Sequence, residues 1–343
     1  MNLYPVLMLL TLLFALAVTT WLGCHVYRKV ALRLHFLDHP NSRSAHVEPT
    51  PTGAGIVFVT LFYVVLYTAW TMQIVSIDVF LATLGGIPVA VIGLADDVKT
   101  LPWPVRAVVH ILAATWCIYW VGFPAITLFD VTLEAGFISL VFGVVALVWL
   151  LNLYNFMDGI DGIAAVEAMF VCGAVVLLAG LNREQWSLVN MVLGTVSLGF
   201  LIINWPNAKV FMGDIGSGFL GLMLGVLVLA YQDLSVWTLI ILLAYFVTDA
   251  SLTIVTRLVR GERIYEAHSQ HAYQHLARAL GDAKVLYIVL AINILWLLPL
   301  AALSVAFPEY GALLLILASL PLLIGEFACG AGQLAPRISI LNR

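Results

Sequence analysis

Charged side chains are scarce in this sequence. Asp, Glu, Lys and Arg together make up 10% of the 343 residues, whereas 63% of the residues are hydrophobic and the mean hydropathy is +1.05. Soluble globular domains carry about 25% charged residues, so this composition excludes an ordinary soluble protein. The net charge of −4 gives no excess of basic residues for binding nucleic acid. The sequence therefore predicts an integral membrane protein.

Cysteine is also rare, and its positions do not indicate a metal or redox site. The four cysteines (Cys24, Cys117, Cys172 and Cys329) lie in or beside apolar runs without metal-type spacing, which is typical of small core residues. The sequence has no internal repeat, no low-complexity tract and no boundary of a soluble domain. We therefore predict one polytopic membrane domain over residues 1–343.

Long apolar runs, in contrast, are abundant. A helix of about 20 apolar residues can cross the hydrocarbon layer of a bilayer. The candidate runs cover residues 3–24, 53–72, 79–95, 103–121, 137–153, 163–180, 187–204, 216–231, 236–256, 285–306 and 310–328. They predict an all-α polytopic bundle of about eleven transmembrane helices.

The basic residues indicate how this bundle is oriented. No basic residue precedes the first run, which is too long for a cleavable signal peptide, and Arg28, Lys29 and Arg33 follow it. If the amino terminus is outside and the runs alternate, every Lys and Arg except Arg183 falls on or near the inner side. The first run is then an anchor with its amino terminus outside the cell.

Most of the polar motifs fall on the inner side of this arrangement. They lie in five segments, which cover residues 37–55, 93–106, 152–162, 204–218 and 257–284. The outer connections are mostly short and carry no motif. We therefore expect the functional site on the cytoplasmic face.

The second inner segment carries two adjacent acids, Asp96 and Asp97, at the end of an apolar run. The carboxyl end of a helix disfavours negative charge, so the pair needs compensation by a divalent cation or by the nearby Lys99. Acids at membrane depth are usually functional. The alternative is a solvated helix end that faces water.

The third and fourth inner segments place acids among glycines just before apolar runs. Asp158 and Asp161 are three residues apart, and Asp214 lies between Gly213 and Gly216. This pattern predicts acids at helix N-termini, where backbone N–H groups favour anionic ligands. Ordinary capping by Asp161 or Asp214 is the alternative. Acids that converge from three inner loops fit Mg2+ and a phosphorylated substrate.

The last inner segment contains three histidines, His268, His271 and His275, among arginines. A helix would place His271 and His275 on one face, which is compatible with a metal pair. The sequence has no HExxH pattern, and the arginines favour anion binding. Contact with anionic lipid is a further alternative.

The first inner segment offers Arg43 and His46 between prolines. Arg43 is a candidate for a phosphate contact. A rigid connector without chemistry is the alternative.

Together these inner motifs resemble the polyprenyl-phosphate N-acetylhexosamine-1-phosphate transferase family. In chain order they read DHPNSRSAHVEPTPTGAG, LADD, NLYNFMDGIDG, a stretch ending in FMGDIGS, and HAYQ in the last large loop. Each motif alone is weak, but their order, spacing and shared sidedness are specific. The HAYQ form resembles the branch that initiates O-antigen or other surface glycans.

The resemblance implies roles for the matching residues. Asp96, Asp97 and Asp214 would lie at a site for Mg2+, or Mn2+ as a substitute, and for the lipid phosphate, with Asp96 a candidate base. Asp96, Asp97, Asp158 and Asp214 are the implied catalytic residues. The implied substrate-binding residues are Asn152, Asn155, Asp161, Asn204, Phe211, Arg43, His46 and His271.

The resemblance also implies the reaction. An N-acetylhexosamine 1-phosphate would pass from a UDP-sugar to undecaprenyl phosphate in the bacterial inner membrane, giving undecaprenyl-diphosphate-sugar and UMP. Direct attack by the lipid phosphate and double displacement through an aspartyl-phosphate are both open. Membrane lipids surround the enzyme, no nucleic acid is involved, and a homodimer is implied.

Two other functions remain as alternatives. One is the phospho-N-acetylmuramoyl-pentapeptide transferase reaction of lipid I synthesis. The other is transport, because acids inside a membrane also mark ion paths. Transporters place such acids near the midplane in repeated halves, whereas here only Asp249 and Glu326 are expected inside apolar runs, without a repeat.

Overall fold

The computed structural model of the protein describes residues 4–40, 48–122, 126–128, 131–133, 136–180, 184–231, 234–263 and 268–334. The helices are α1 (Tyr4–Arg33), α2 (Gly55–Thr71), α3 (Ile77–Thr83), α4 (Gly86–Val98), α5 (Trp103–Val121), α6 (Phe137–Met157), α7 (Ile163–Ala179), α8 (Glu184–Asn204), α9 (Asp214–Ala230), α10 (Val236–Leu242), α11 (Ala244–Val259), α12 (Ala272–Leu280), α13 (Asp282–Ile292), α14 (Leu298–Ala306) and α15 (Gly311–Cys329). A π-helical turn (Asn293–Leu297) joins α13 to α14, and a 3-10 turn (Pro308–Tyr310) precedes α15. Two short antiparallel pairs complete the described structure, β1 (Leu37–Asp38) with β2 (Thr50–Pro51) and β3 (Ile126–Leu128) with β4 (Val131–Leu133).

Every predicted apolar run lies on helix, which confirms the all-α polytopic membrane class. In the described part of the chain, 7 helical segments are long and apolar enough to cross a membrane, and the bent pair α10–α11 raises this number to 8. The shorter apolar helices α2, α7 and α9 have 17 residues each, a length of roughly 25 Å. About eleven spans and an outer amino terminus therefore stay predictions.

Helix α9 forms the centre of the bundle. Nearly all of its residues are buried, because the helix is apolar on every side and packs against α2, α4, α5, α6, α7 and α8. At Gly93 on α4, a Cβ atom would lie 2.5 Å from the backbone oxygen of Asp214. This close contact brings the end of α4, which carries Asp96 and Asp97, against the first turn of α9.

Helices α10 and α11 form one bent element. Their axes differ by 77° at a break of a single residue, Leu243. After the bend, α11 packs against α15 and α6. The direction of α11 brings Asp249, which is fully buried, close to the start of α12.

The sequence interpretation overlooked one buried acid. Glu167 on α7 is fully buried, and its Oε2 atom accepts a hydrogen bond of 2.7 Å from Nδ2 of Asn293 in the π-helical turn. Glu326 likewise accepts a hydrogen bond of 2.7 Å from the hydroxyl group of Thr248. The expectation that only Asp249 and Glu326 lie inside apolar runs is therefore wrong. An acid one turn into an apolar helix was missed because the run around it is otherwise uniformly hydrophobic.

Candidate active site

A cavity of about 580 Å3 collects residues from all five inner segments of the sequence. We call it the polar cavity. Its walls include Asp38, Thr52, Asp96, Asp97, Asn155, Asp158, Asp161, Asn204, Phe211, Asp214, His268 and Gln274. Acids that are far apart in the chain thus meet at one place. A site of this kind concentrates negative charge and needs cations for its function.

Asp97 caps helix α9. Its carboxylate oxygens accept hydrogen bonds from the backbone N–H groups of Asp214 (2.9 Å) and Ile215 (3.3 Å). The preceding residue, Gly213, has a φ angle of +73°, and a side chain at this position would collide with the Asp97 carboxylate. Capping therefore comes from Asp97, and the alternative that Asp214 caps its own helix is wrong.

Asp96 pairs with Arg106 of α5. Its Oδ1 atom accepts a hydrogen bond of 2.6 Å from the backbone N–H group of Leu101, and its Oδ2 atom forms an ion pair with Nη1 of Arg106. The same Nη1 atom lies 3.5 Å from Oδ2 of Asp214. Lys99 is exposed and forms no ion pair with any described residue. The compensating side chain for the acid pair is therefore Arg106, which sequence reasoning missed, and Lys99 is not.

Asp158 and Asp161 lie in the loop between α6 and α7. Because α7 begins after Gly162, which has a φ angle of +79°, the expectation that both acids share the face of a helix start is wrong. Asp161 does not cap α7. Its Oδ2 atom accepts a hydrogen bond of 2.9 Å from the backbone N–H group of Ala208, which ties this loop to the segment before α9.

The Asp158 carboxylate accepts no hydrogen bond from the described residues. Burial raises the pKa of Asp158 well above its ordinary value, and the negative charges of Asp214, Asp161 and Asp97 raise it further. A carboxylate in this environment is stabilised when a cation reaches it. Asp158 is therefore well suited to face a positively charged ligand.

Asn204 and Phe211 hold the walls of the polar cavity together. Oδ1 of Asn204 accepts a hydrogen bond of 2.9 Å from the N–H group of Gly162, and its Nδ2 donates one of 3.0 Å to the oxygen of Val210. The backbone N–H group of Phe211 donates to the oxygen of Pro51 at 2.8 Å. Both residues line the cavity, and Asn204 has little hydrogen-bonding capacity left for a ligand.

The remaining predicted residues are distributed differently. Asn155 lines the polar cavity, whereas Asn152 lies outside it and donates a hydrogen bond of 2.7 Å to the oxygen of Val148 on its own helix. Arg43 and His46 lie outside the residues that the structure describes.

Asp249 positions the histidine motif. Its Oδ1 atom accepts a hydrogen bond of 3.0 Å from the N–H group of Ala272 and lies 3.2 Å from Nδ1 of His271, and its Oδ2 atom accepts one of 2.9 Å from the N–H group of Tyr273. The hydroxyl group of Tyr273 donates to the oxygen of Phe156 at 2.9 Å. Asp249 therefore caps α12 and fixes it against the end of α6. The sequence gave no signal for this contact.

His271 itself is buried and does not line the polar cavity. Only 1% of its surface is exposed, and its ring stacks on His268 with 5.0 Å between the ring centroids. His268 and Gln274 are the members of this region that face the cavity. His275 has different partners, Arg278 and the oxygen of Gln333. The metal-pair alternative for His271 and His275 therefore has no support in the described structure.

Two further cavities continue from the polar cavity. The middle cavity, of about 260 Å3, shares Asn155 and Asp214 with the polar cavity. The apolar groove, of about 620 Å3, shares Asn152 and Phe156 with the middle cavity and runs between α5, α6 and α11. Arg106 lines the middle cavity alone of the three. The three spaces thus form a row from a polar to an apolar environment.

The acids of the polar cavity have the chemistry that Mg2+ requires, without forming a closed cage. Among the described residues, no group of three or more His, Cys, Asp or Glu side chains is arranged around one metal position. Mg2+ is usually bound by one or two carboxylates together with substrate phosphates and waters. The oxygens of Asp96 and Asp97 already accept hydrogen bonds or pair with Arg106. Asp214 and Asp158 are therefore the oxygen donors that best fit this ion.

Comparisons with known proteins connect this geometry to named relatives. Residues 79–232 match the model of glycosyl transferase family 4. The chain is 26% identical over 267 residues to an undecaprenyl-phosphate alpha-N-acetylglucosaminyl 1-phosphate transferase of Thermotoga maritima, covering 78% of this chain and 81% of the relative. It is 24% identical over 265 residues to a probable undecaprenyl-phosphate N-acetylglucosaminyl 1-phosphate transferase of Bacillus subtilis, covering 73% and 72%. A phospho-N-acetylmuramoyl-pentapeptide-transferase of Streptococcus gordonii is 33% identical over 170 residues, covering 48% and 51%.

Proposed function

Because the chain belongs to the polyprenyl-phosphate N-acetylhexosamine-1-phosphate transferases of glycosyl transferase family 4, we propose that its donor is a UDP-N-acetylhexosamine and its acceptor undecaprenyl phosphate. The chain is a multi-pass membrane phosphotransferase that moves a sugar 1-phosphate onto a polyprenyl phosphate. The products of the proposed reaction are undecaprenyl-diphosphate-sugar and UMP. This reaction would begin the synthesis of O-antigen or another surface glycan.

The observation that carries this proposal is the row of three cavities. A UDP-sugar is polar and anionic, and the polar cavity offers acids, amides and His268 to a nucleotide diphosphate and a cation. An undecaprenyl chain is apolar, and the apolar groove offers it Ile111, Leu140, Val144 and Trp149. The middle cavity connects the two. Two substrates of opposite polarity can therefore meet beside Asp214.

The proposed chemistry is direct transfer. An oxygen of the lipid phosphate attacks the phosphorus that carries the sugar, the bond from this phosphorus to the bridging oxygen breaks, and UMP leaves with that oxygen. The second pKa of a phosphate monoester is about 6, so the acceptor is mostly a dianion at neutral pH and needs no strong base. Asp96, with both oxygens engaged, is suited to orient Arg106 and not to form a covalent intermediate.

Mg2+ is the proposed cofactor, held by Asp214 and Asp158, with Mn2+ as a substitute. When bound, this ion neutralises the donor diphosphate and the charge that develops on the leaving UMP. The roles first implied for Asp96 and Asp97 as metal ligands stay predictions. In the described structure Asp97 holds the first turn of α9, and so the Asp214 backbone, in position.

The proposed location is the bacterial inner membrane, with the polar cavity at the cytoplasmic face. The support is the positive-inside distribution of Lys and Arg together with the origin of the cavity walls in the five inner segments. UDP-sugars are made in the cytoplasm, so a donor site on this side needs no transport step. A homodimer stays a prediction.

The similarity to phospho-N-acetylmuramoyl-pentapeptide-transferases makes UDP-N-acetylmuramoyl-pentapeptide the second candidate donor. The deciding experiment uses the purified protein, undecaprenyl phosphate, Mg2+ and a panel of UDP-sugars that includes this one, and it measures UMP release. We expect release with one or more UDP-N-acetylhexosamines. No release with any donor would refute the proposed function, and counterflow in vesicles would then test the transport alternative.

A further inference from the structure

The middle cavity is a small polar space at the end of an apolar one. Its walls include Arg106 and His110 from α5, Asn152, Asn155 and Phe156 from α6, and Asp214 from α9. A lipid that lies in the apolar groove must place its headgroup here, because Asn152 and Phe156 line both spaces. The headgroup then lies directly beside Asp214, at the wall shared with the polar cavity.

Arg106 is the cation of this cavity. Its Nη1 atom pairs with Asp96 and lies 3.5 Å from Oδ2 of Asp214. Its side chain is 33% exposed, whereas that of Asp96 is 9% exposed. Among the described residues no hydrogen bond involves Nε or Nη2 of Arg106, so most of its donors are available to a ligand.

The chemistry of Arg106 matches a phosphate group. A guanidinium group presents several N–H donors in a plane and binds phosphate with paired hydrogen bonds. Asp96 holds it at one edge, and Asp214 is a weaker partner at 3.5 Å. A dianionic phosphate in the middle cavity would attract the guanidinium group more strongly than the single charge of Asp214 does.

We propose that the middle cavity binds the phosphate monoester of the lipid acceptor and that Arg106 turns from Asp214 to this phosphate when the acceptor arrives. The inference rests on the proposed function and adds a site and an order of events to it. While Arg106 is paired with Asp214, it competes with a divalent cation for that carboxylate. Acceptor binding removes the competitor, so the acceptor and the cation favour each other's binding.

The test measures acceptor kinetics and metal binding separately. Arg106→Gln removes the charge, Arg106→Lys restores it without the planar fork, and Lys99→Gln is the matched control because Lys99 is an exposed cation without an ion pair in the same inner segment. For Arg106→Gln we expect the KM for undecaprenyl phosphate to rise by about 10- to 100-fold, while the KM for the donor changes less than about threefold. Arg106→Lys should recover part of this loss, and Lys99→Gln should match wild type.

The second readout is independent of turnover. Free Mn2+ is measured by electron paramagnetic resonance on the full-length protein in detergent without donor. Undecaprenyl phosphate should tighten Mn2+ binding to wild type, whereas undecaprenol, which lacks the phosphate, and inorganic phosphate, which lacks the tail, should do so much less. Arg106→Gln should bind Mn2+ more tightly than wild type without acceptor, and the acceptor should no longer change it.

Several results would overturn the inference. They are an unchanged acceptor KM in Arg106→Gln, a rise in the donor KM alone, or Mn2+ binding that does not respond to undecaprenyl phosphate in wild type. An equal response to inorganic phosphate would replace the lipid site by a general phosphate site and would also overturn it. Failure of the proposed function looks different, because wild type would then release no UMP while Mn2+ binding could still be measured. Arg106→Lys keeps the test valid if Arg106→Gln does not fold.

Discussion

The carboxylate of Asp97 accepts the backbone N–H groups of Asp214 and Ile215, at 2.9 and 3.3 Å. These two N–H groups belong to the first turn of α9, where no intrahelical acceptor exists. Asp97 thereby fixes the backbone that carries Asp214, and the Gly213 backbone leaves room for the carboxylate. One acid of the adjacent pair thus has a structural task at the reaction centre.

Asp97→Ala should lower both thermal stability and turnover. The substitution leaves two N–H groups of α9 without acceptors, at a cost of about 1–3 kcal/mol, and it frees Asp214 to move. Asp97→Asn keeps one acceptor oxygen and should lose less on both measures. Thermal unfolding in detergent and UMP release measure the two effects. Equal loss of turnover in both variants at wild-type stability would contradict the capping role.

Asp214→Asn should abolish transfer while expression and membrane insertion stay normal. The substitution removes the charge that the donor's cation needs, and it changes the size of the side chain very little. UMP release by the purified variant in saturating Mg2+ is the measurement. Turnover close to wild type would remove the metal assignment of Asp214.

Transfer should depend on a divalent cation. We expect activity to fall to background in excess EDTA and to return when Mg2+ or Mn2+ is added, because the lipid phosphate and the donor diphosphate repel each other without it. The assay is UMP release before and after chelation. A fully active enzyme in excess EDTA is incompatible with a bridging cation.

Acid should weaken the packing of α12 through His275. Burial lowers the pKa of His275, and the positive charge of Arg278 lowers it further. Because Nη1 of Arg278 can only donate, Nδ1 of His275 accepts (3.3 Å) and Nε2–H donates to the oxygen of Gln333 at 3.1 Å. The folded protein thus favours neutral His275. Its contribution to stability is present above the unfolded pKa of about 6.5 and is lost as the pH falls below that value.

The measurement for His275 is the thermal unfolding of wild type and His275→Gln between pH 7.5 and 5. Gln can keep a donor and an acceptor but cannot gain a proton, so the variant should lose less stability on acidification. The difference is at most about 1.4 kcal/mol per pH unit, the linkage of one proton. Parallel curves for the two proteins would show that His275 does not carry this effect.

The helices of the fold were predictable because burial in a membrane depends on local composition. Each apolar run lies on helix, and only the helix ends and the 77° bend at Leu243 escaped the sequence pattern. The three helices of 17 residues show the limit, since length and hydropathy alone do not decide how deeply they cross.

The membership of the site was predictable from order and sidedness, but its internal contacts were not. Local rules assign the cap of α9 to the nearest acid, Asp214, whereas Asp97 comes from 117 positions away. Arg106 pairs with Asp96 across a turn between two helices, and Asp249 reaches α12 from inside an apolar run. Such contacts are decided by tertiary packing, to which no sequence spacing corresponds.

The wall that Asn155 and Asp214 form between the polar and middle cavities has a consequence for how products depart. A water-soluble nucleotide and a lipid would each retreat the way it came, one to the cytosol and the other to the bilayer, and neither would have to pass the other. Turnover would then be cleared in two directions at once, so dilution of UMP into the aqueous phase and lateral diffusion of the lipid product would act as independent brakes on the reverse reaction.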